Sequence, residues 1–202
     1  MTHETDTLLN RYRHHVPGLL GAKHSYAVLC PLVQRSDGLH LLFEVRAEGL
    51  RQAGEVCFPG GRMEPGESAE QCALRETEEE LGIPSAEVQL LGQSDFLYNQ
   101  RGFLLRPVIG LVSEAGMAAL TSSPAEVAEV FTVPLSFFRS TPPEVYAYDL
   151  IPQIPADFPY EAMGISPDYP WSRGKSDVPV WYYEGHVIWG MTARILRDIL
   201  SE

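Results

Sequence analysis

The sequence has no long apolar run: none of its hydrophobic stretches approaches the roughly 20 residues that a membrane-spanning helix needs. It is poor in cysteine. Cys30, Cys57 and Cys72 are the only three, an odd number without metal-like spacing, which suits reduced thiols in a cytoplasm. It is also short of positive charge, with 15 Lys and Arg against 27 Asp and Glu and a formal net charge of -12. That balance argues against broad, sequence-independent nucleic-acid binding, which needs a basic footprint. A small anionic ligand remains compatible with it, provided a metal or clustered arginines supply local cations against the general field. Internal repeats and low-complexity linkers are absent. The opening MTHETDTLLNRYRHH is polar where a signal peptide needs its apolar stretch, and the closing Leu200-Ser201-Glu202 is not a peroxisomal address. The expectation is a cytoplasmic protein with neither membrane nor nucleic acid as partner.

What is present is an ordinary globular composition, 45% hydrophobic over 202 residues, enough for one core and one domain spanning 1–202. A short helix is expected over 5–15. Ser25 to Val33 and Leu39 to Val45 read as strands joined by a turn at Ser36-Asp37-Gly38. Val56 to Pro59 reads as a short strand entering Gly60-Gly61. Further strands are expected over Val88 to Phe96, Phe103 to Val112 and Val127 to Val133, with a helical turn after Pro134. Prolines, aromatics and glycines crowd Thr141 to Pro179, so an irregular insertion is expected there, a length often used for lids and binding loops. Val180 to Tyr183 returns to strand character. Trp189 to Leu200 reads as a closing amphipathic helix, with Ile195, Leu196 and Ile199 inward and Trp189 as a core anchor. Mixed strands with few helices predict an α/β fold whose sheet is covered by helices on its faces.

One segment breaks local rules. In "GESAEQCALRETEEELGI" the Ser68–Gln71 pair fits a capping box, Gly82 fits a left-handed cap and Pro84 stops continuation, so a helix is expected from Ala69 to Leu81. Glu76, Glu79 and Glu80 fall within one arc of roughly 100° on it. Glu76 and Glu80, four apart, repel by a few tenths of a kcal/mol. Carboxylates in the last turn also oppose the helix dipole, at about 0.3–1 kcal/mol each. Arg75 can offset part of this by pairing with Glu79, and Glu78 points elsewhere as a solvated charge. Such a face is either merely solvated or a hard oxygen site for Mg²⁺ or Mn²⁺.

The spacing decides between them. Gly61, Glu67, Arg75-Glu76, Glu79-Glu80 and Gly82-Ile83 stand at the intervals of the Nudix hydrolase signature, which the segment resembles; Thr77 in an aliphatic slot is the one departure. The resemblance implies a Nudix-fold α/β/α sandwich with a mixed β-sheet. It further implies metal-dependent hydrolysis of a small-molecule nucleoside diphosphate linked to another group. On that resemblance Glu76, Glu79 and Glu80 are metal ligands, with the Gly60 carbonyl as a further one. Glu67 holds waters or the loop at the helix entrance, and Arg75 orients the glutamates. Glu79 is the first candidate for the base that activates water; Glu126 or Glu129, from the later segment, is the alternative.

The preceding stretch, "LLFEVRAEGLRQAGEVCFPGG", is similar to the extended signature of the coenzyme A diphosphatase branch of that family. The features are Leu41-Leu42, Arg46, Leu50-Arg51 and Gly54 to Gly61, which place Phe58, Gly60 and Gly61 beside the substrate. The late "VIWGMTARIL" is similar to that branch's closing helix. Gln52-Ala53 stands where many members carry a histidine. Coenzyme A bears a 3′-phosphate suited to guanidinium groups, so Arg46 and Arg51 are candidates for it, against the alternative of surface arginines lying over a strand. Arg101 and Arg106 are weaker candidates. Tyr98, Phe103, Tyr160 and Trp171 are either adenine-stacking groups or loop packing. His14-His15 reads as a solvated helix end and Cys57 as a packing residue. The branch implies coenzyme A or acyl-CoA as substrate, and a homodimer by analogy. The rivals are a Nudix hydrolase of ADP-ribose or another nucleotide sugar, and a nucleotide-binding regulator without catalysis.

Overall fold

Two apolar strands of alternating sidedness carry the architecture. In the computed structural model, which describes residues 3–15 and 18–201, β1 (His24–Arg35) and β2 (Gly38–Arg46) are the central hairpin. Along β2, Leu41 and Phe43 point to one face and Leu42 to the other, and all three are fully buried. The remaining elements of the first half are α1 (His3–Arg13), β3 (Val56–Cys57), β4 (Gly60–Arg62), α2 (Ala69–Leu81), β5 (Val88–Gln93), β6 (Leu97–Asn99) and β7 (Phe103–Val112). Those of the second half are α3 (Glu114–Ala119), β8 (Val127–Pro134), α4 (Leu135–Ser140), β9 (Glu144–Leu150), α5 (Tyr160–Met163), β10 (Gly174–Tyr183), β11 (His186–Trp189) and α6 (Gly190–Leu200).

The main sheet runs β3-β2-β1-β7-β5, with β4 on β1, β6 on β7 and β8 on β2. Among the described strands only β1 and β7 are parallel, over ten residue pairs from His24↔Phe103 to Val33↔Val112; the other pairings are antiparallel. On one face α2 presses Ala69, Cys72, Ala73 and Leu81 against Ala27, Leu29, Leu42 and Val108. On the other, Phe138 of α4 and Ala193, Ile195 and Leu196 of α6 close over Leu41, Phe43, Phe58 and Val133. The expected α/β/α sandwich around a mixed sheet is therefore what the chain adopts. No helix among the described residues is long and apolar enough to cross a membrane.

The stretch 141–179 is more regular than expected. Glu144–Leu150 forms β9, which pairs with β10 from Glu144↔Val180 to Leu150↔Gly174, and β11 completes a second, three-stranded sheet. Val145, Tyr146 and Tyr148 suit a pleated strand; the breaking residues precede β9 or lie between the strands, apart from Gly174 and Pro179, which β10 accommodates opposite Leu150 and Val145. There Phe158, Tyr160, Tyr169 and Trp171 pack edge to face on one another, so Tyr160 and Trp171 are loop packing. A second correction concerns tryptophan. Trp189 is 43% exposed, because alternation along β11 turns Ile188 inward and Trp189 outward. The anchor is Trp181, 3% exposed, whose indole N–H donates to the Thr141 carbonyl at 2.8 Å.

Candidate active site

Helix α2 starts and stops where its sequence dictates. The Ser68 hydroxyl accepts from the Gln71 amide and the Gln71 side chain accepts from the Ser68 amide, at 3.2 and 2.8 Å. At the other end Gly82 takes φ 66°, and its amide donates to the Glu78 carbonyl. Thr77 is fully buried, but its hydroxyl donates to the Ala73 carbonyl at 2.6 Å, so the aliphatic slot costs it no unpaired polar group.

Arg75 is the hub of the exposed side. Its Nε donates to Glu67 Oε1 at 2.9 Å, Nη1 to Glu76 at 2.8 Å and to Glu79 at 3.2 Å, and Nη2 to Glu67 Oε2 at 3.2 Å. One planar fork thus compensates three carboxylates at once, which an ammonium could not. Arg75 and the Glu64 amide hold the Glu67 carboxyl down to about 2. Glu67 is therefore a loop-and-arginine brace at the helix entrance. Glu78 points away from the other glutamates as an exposed charge, as expected, and it also accepts from the amide and hydroxyl of Ser85, tying down the turn after the helix.

Glu80 lies deeper, 7% exposed, where its carboxylate accepts from the Gly60 amide at 2.8 Å. Burial first, then the Glu44 charge, push it up to about 8. Glu76 is raised by burial despite Arg75, with Glu79 and Glu126 adding to the effect. A Cβ on Gly61 would overlap the Glu76 carboxylate itself, and one on Gly60 would strike the Ala27 carbonyl and the Val28 Cα. The paired glycines bring β4 against β1 on one side and the carboxylates on the other. Gly61→Ala should therefore displace Glu76 and lower kcat by about 10²-fold, the penalty expected of a small misplacement near chemistry. Circular dichroism and kcat measured together check this; a fully active Gly61→Ala variant would contradict it.

Several expected site residues lie elsewhere. Phe58 is 3% exposed and stacks on Phe43 at 4.8 Å, so it is core rather than a substrate contact. Glu129 is remote from α2, because strand alternation and the β-bulge opposite Val45/Arg46 turn it to the far face. It pairs there with His186 at 3.1 Å. Glu126 does lie near, since its charge acts on Glu44, Glu76 and Glu80. Arg46 donates through Nε to the Arg51 carbonyl, knitting the 47–55 loop, and Arg51 is exposed on that loop. Arg101 is exposed, and Arg106 lies over the Phe96 ring at 4.5 Å. Tyr98 is half exposed, and Phe103 packs edge to face on Tyr26. Cys57 is a packing residue, as expected, and burial holds its thiol protonated.

One residue escapes the sequence reading. Glu44, on β2, is 1% exposed, and burial raises it to about 7 against the pull of Cys57 and Arg46. A signal for it exists: in Leu41-Leu42-Phe43-Glu44 the charge shares the face of Leu42, the face that α2 covers. A buried charge in an apolar strand demands a partner.

Among the described residues, no three His, Cys, Asp or Glu side chains stand gathered as a ready cation cage. Arg75 holds Glu76 and Glu79 where convergence on an ion was expected. The donor chemistry nonetheless fits a hard divalent cation: an all-oxygen set in which Glu80 and Glu44 are buried without a cationic partner among the described residues.

An acidic helix seated on a mixed sheet, entered through a Gly-Gly strand and braced by an arginine, defines a Nudix hydrolase. The chain belongs to that family: a NUDIX domain matches residues 23–146. The chain is 35% identical over 178 residues to the uncharacterized Nudix hydrolase NudL of Photorhabdus laumondii, covering 87% of this chain and 83% of that one. It is 36% identical over 139 residues to the mouse peroxisomal coenzyme A diphosphatase NUDT7, covering 68% of this chain and 57% of that one. Among solved structures, the Nudix hydrolase RenU of M. smegmatis superposes with a TM-score of 0.50 at 22% identity, covering 58% of this chain and 74% of that one. Nudix hydrolases act on small-molecule substrates and generally use divalent metals such as Mg²⁺ or Mn²⁺.

Proposed function

We propose that this enzyme hydrolyses the diphosphate of coenzyme A, and of acyl-CoA, to 3′,5′-ADP and 4′-phosphopantetheine, in a cytoplasmic setting and with Mg²⁺ or Mn²⁺. The observation that carries the proposal is structural continuity. The Leu41–Gly61 stretch that resembles the coenzyme A diphosphatases runs through β2 and β3 straight into the glycines that seat Glu76 and Glu80. The 36% identity to a protein named for that activity supports it.

Glu76, Glu79, Glu80 and the Gly60 carbonyl would hold the divalent ion, which when bound neutralises diphosphate charge and favours attack at phosphorus. The chain's own groups do the rest. Glu79, 56% exposed on the outer edge of α2, takes the proton of the attacking water, with Glu126 as the alternative base. Water oxygen bonds to one phosphorus, the bridging P–O bond breaks, and the departing phosphate leaves with the bridging oxygen. Arg75 and Glu67 keep the carboxylates in register through their mutual bonds. Arg46 and Arg51 receive the 3′-phosphate, a pairing that guanidinium geometry favours.

The test is a product assay at matched concentrations, 3′,5′-ADP from coenzyme A beside AMP from ADP-ribose. A kcat/KM at least tenfold larger for coenzyme A is expected. Preferential turnover of ADP-ribose would overturn the substrate while leaving the reaction class intact.

A further inference from the structure

Glu44 has no role in the hydrolysis proposed above, yet its setting is an uncomfortable one for a carboxylate. It is 1% exposed on strand β2, on the face covered by α2. One oxygen, Oε1, accepts from the Cys57 thiol at 3.3 Å. The other, Oε2, is buried with no hydrogen-bond partner among the described residues. A buried oxygen left unpaired is costly, on the order of 1–3 kcal/mol and more when charged. The basic group near it along the strand, Arg46, spends its Nε on the Arg51 carbonyl. The groups facing Glu44 from other elements are acidic: Glu80 from α2 and Glu126 from the segment before β8. Arg75, the hub of the outer carboxylates, bonds Glu67, Glu76 and Glu79, not Glu44 or Glu80.

Two carboxylates are thus buried together, one with a free oxygen and its other oxygen held by a thiol; Arg46 acts on Glu44 and Cys57 from the rim, but among the described residues no cation forms an ion pair with Glu44 or Glu80. We propose that Glu44 is a further carboxylate of the divalent-cation site, its Oε2 facing the ion alongside Glu80 from the opposite element. This rests on the metal-dependent reading above. It extends that reading by bringing a donor from the sheet, not the helix, and it gives Cys57 a role in fixing which oxygen is free. A site walled by a strand carboxylate as well as helix carboxylates holds its ion more tightly and more deeply than the helix face alone.

The experiment is direct Mn²⁺ binding, read as the loss of the free-ion EPR signal, without substrate. Wild type, Glu44→Gln and Glu80→Gln are compared, with melting temperatures measured in chelator. Glu44→Gln should weaken Mn²⁺ binding at least tenfold while melting at or above the wild-type temperature in chelator, since the unpaired charge is gone. Glu80→Gln should weaken it at least as much. Mn²⁺ affinity within twofold of wild type in Glu44→Gln, with binding lost in Glu80→Gln, would overturn the assignment of Glu44 and leave the site itself standing. Wild-type affinity in both variants would overturn the metal site as a whole, Glu44 included. Glu44→Asp retracts the carboxylate by one methylene and guards against misfolding of the amide variant. Reduced affinity there supports the proposal, and unchanged affinity overturns it.

Discussion

Replacing Glu80 by glutamine should abolish most turnover while making the metal-free protein more stable. The expected loss in kcat/KM is on the order of 10³, equivalent to about 4 kcal/mol of transition-state stabilisation. The stability gain follows from the same geometry. Glu80 is 7% exposed, the charge that perturbs it most is Glu44, and its carboxylate accepts a hydrogen bond from the Gly60 amide. A glutamine oxygen keeps that bond and discards the repulsion. Because burial and Glu44 raise Glu80 to about 8, the folded protein binds its proton more tightly than the unfolded chain does. This contribution to stability is complete at low pH and is lost as pH climbs from the ordinary carboxylate range toward 8. In chelator, wild-type melting temperature should therefore fall between pH 5 and pH 8. The Glu80→Gln protein should fall less, ending about 3–8 °C above wild type at pH 8. Lower stability of the variant at pH 8, or activity within tenfold of wild type, would show that Glu80 is a structural acid and not a site group.

The sequence exposes the helix and hides its neighbours for one physical reason. Capping, chain stop and carboxylate spacing are local, so α2 and its Glu76, Glu79 and Glu80 arc can be read along one segment. Glu129 depends on a register set by pairing with β2 across more than eighty residues, and a single bulge sends it to the opposite face. Phe58 lies in a stretch that resembles a substrate-binding signature, yet it packs on Phe43, which is a tertiary fact. Strand β9 is masked by prolines and glycines that flank it without interrupting it. Glu44 is legible from alternation alone, since a charge in phase with Leu42 must lie under α2, although the arginines of the same stretch are the more conspicuous signal. The pairing of Arg75 with Glu79 is legible because both lie on one helix; its bonds to Glu67 require the entry loop to fold back.

That hub carries the second large effect. Arg75→Ala removes the cation shared by Glu67, Glu76 and Glu79 and leaves their charges facing one another. The arginine side chain is 29% exposed, and Glu67 and Glu76 are 12% and 17% exposed, so solvent screens the pairs only in part. Breaking a fully buried pair costs about 3–5 kcal/mol, and this half-buried network should cost about 2–3. For a chain of this size that lowers the melting temperature by roughly 4–12 °C. Lysine should restore less than half of the loss, because one ammonium cannot reproduce two parallel bonds to Glu67 and a third to Glu76. A structural salt bridge elsewhere would give the same two results, so the deciding measurement is the response to Mn²⁺. With the guanidinium gone, a divalent ion is the compensation left for these carboxylates. The melting-temperature rise on adding Mn²⁺ should then be larger in the Arg75→Ala protein than in wild type. An equal or smaller rise would mean that the register Arg75 keeps among the carboxylates is itself a condition for binding the ion. In that case the ion, like the substrate, needs the brace in place before it can bind.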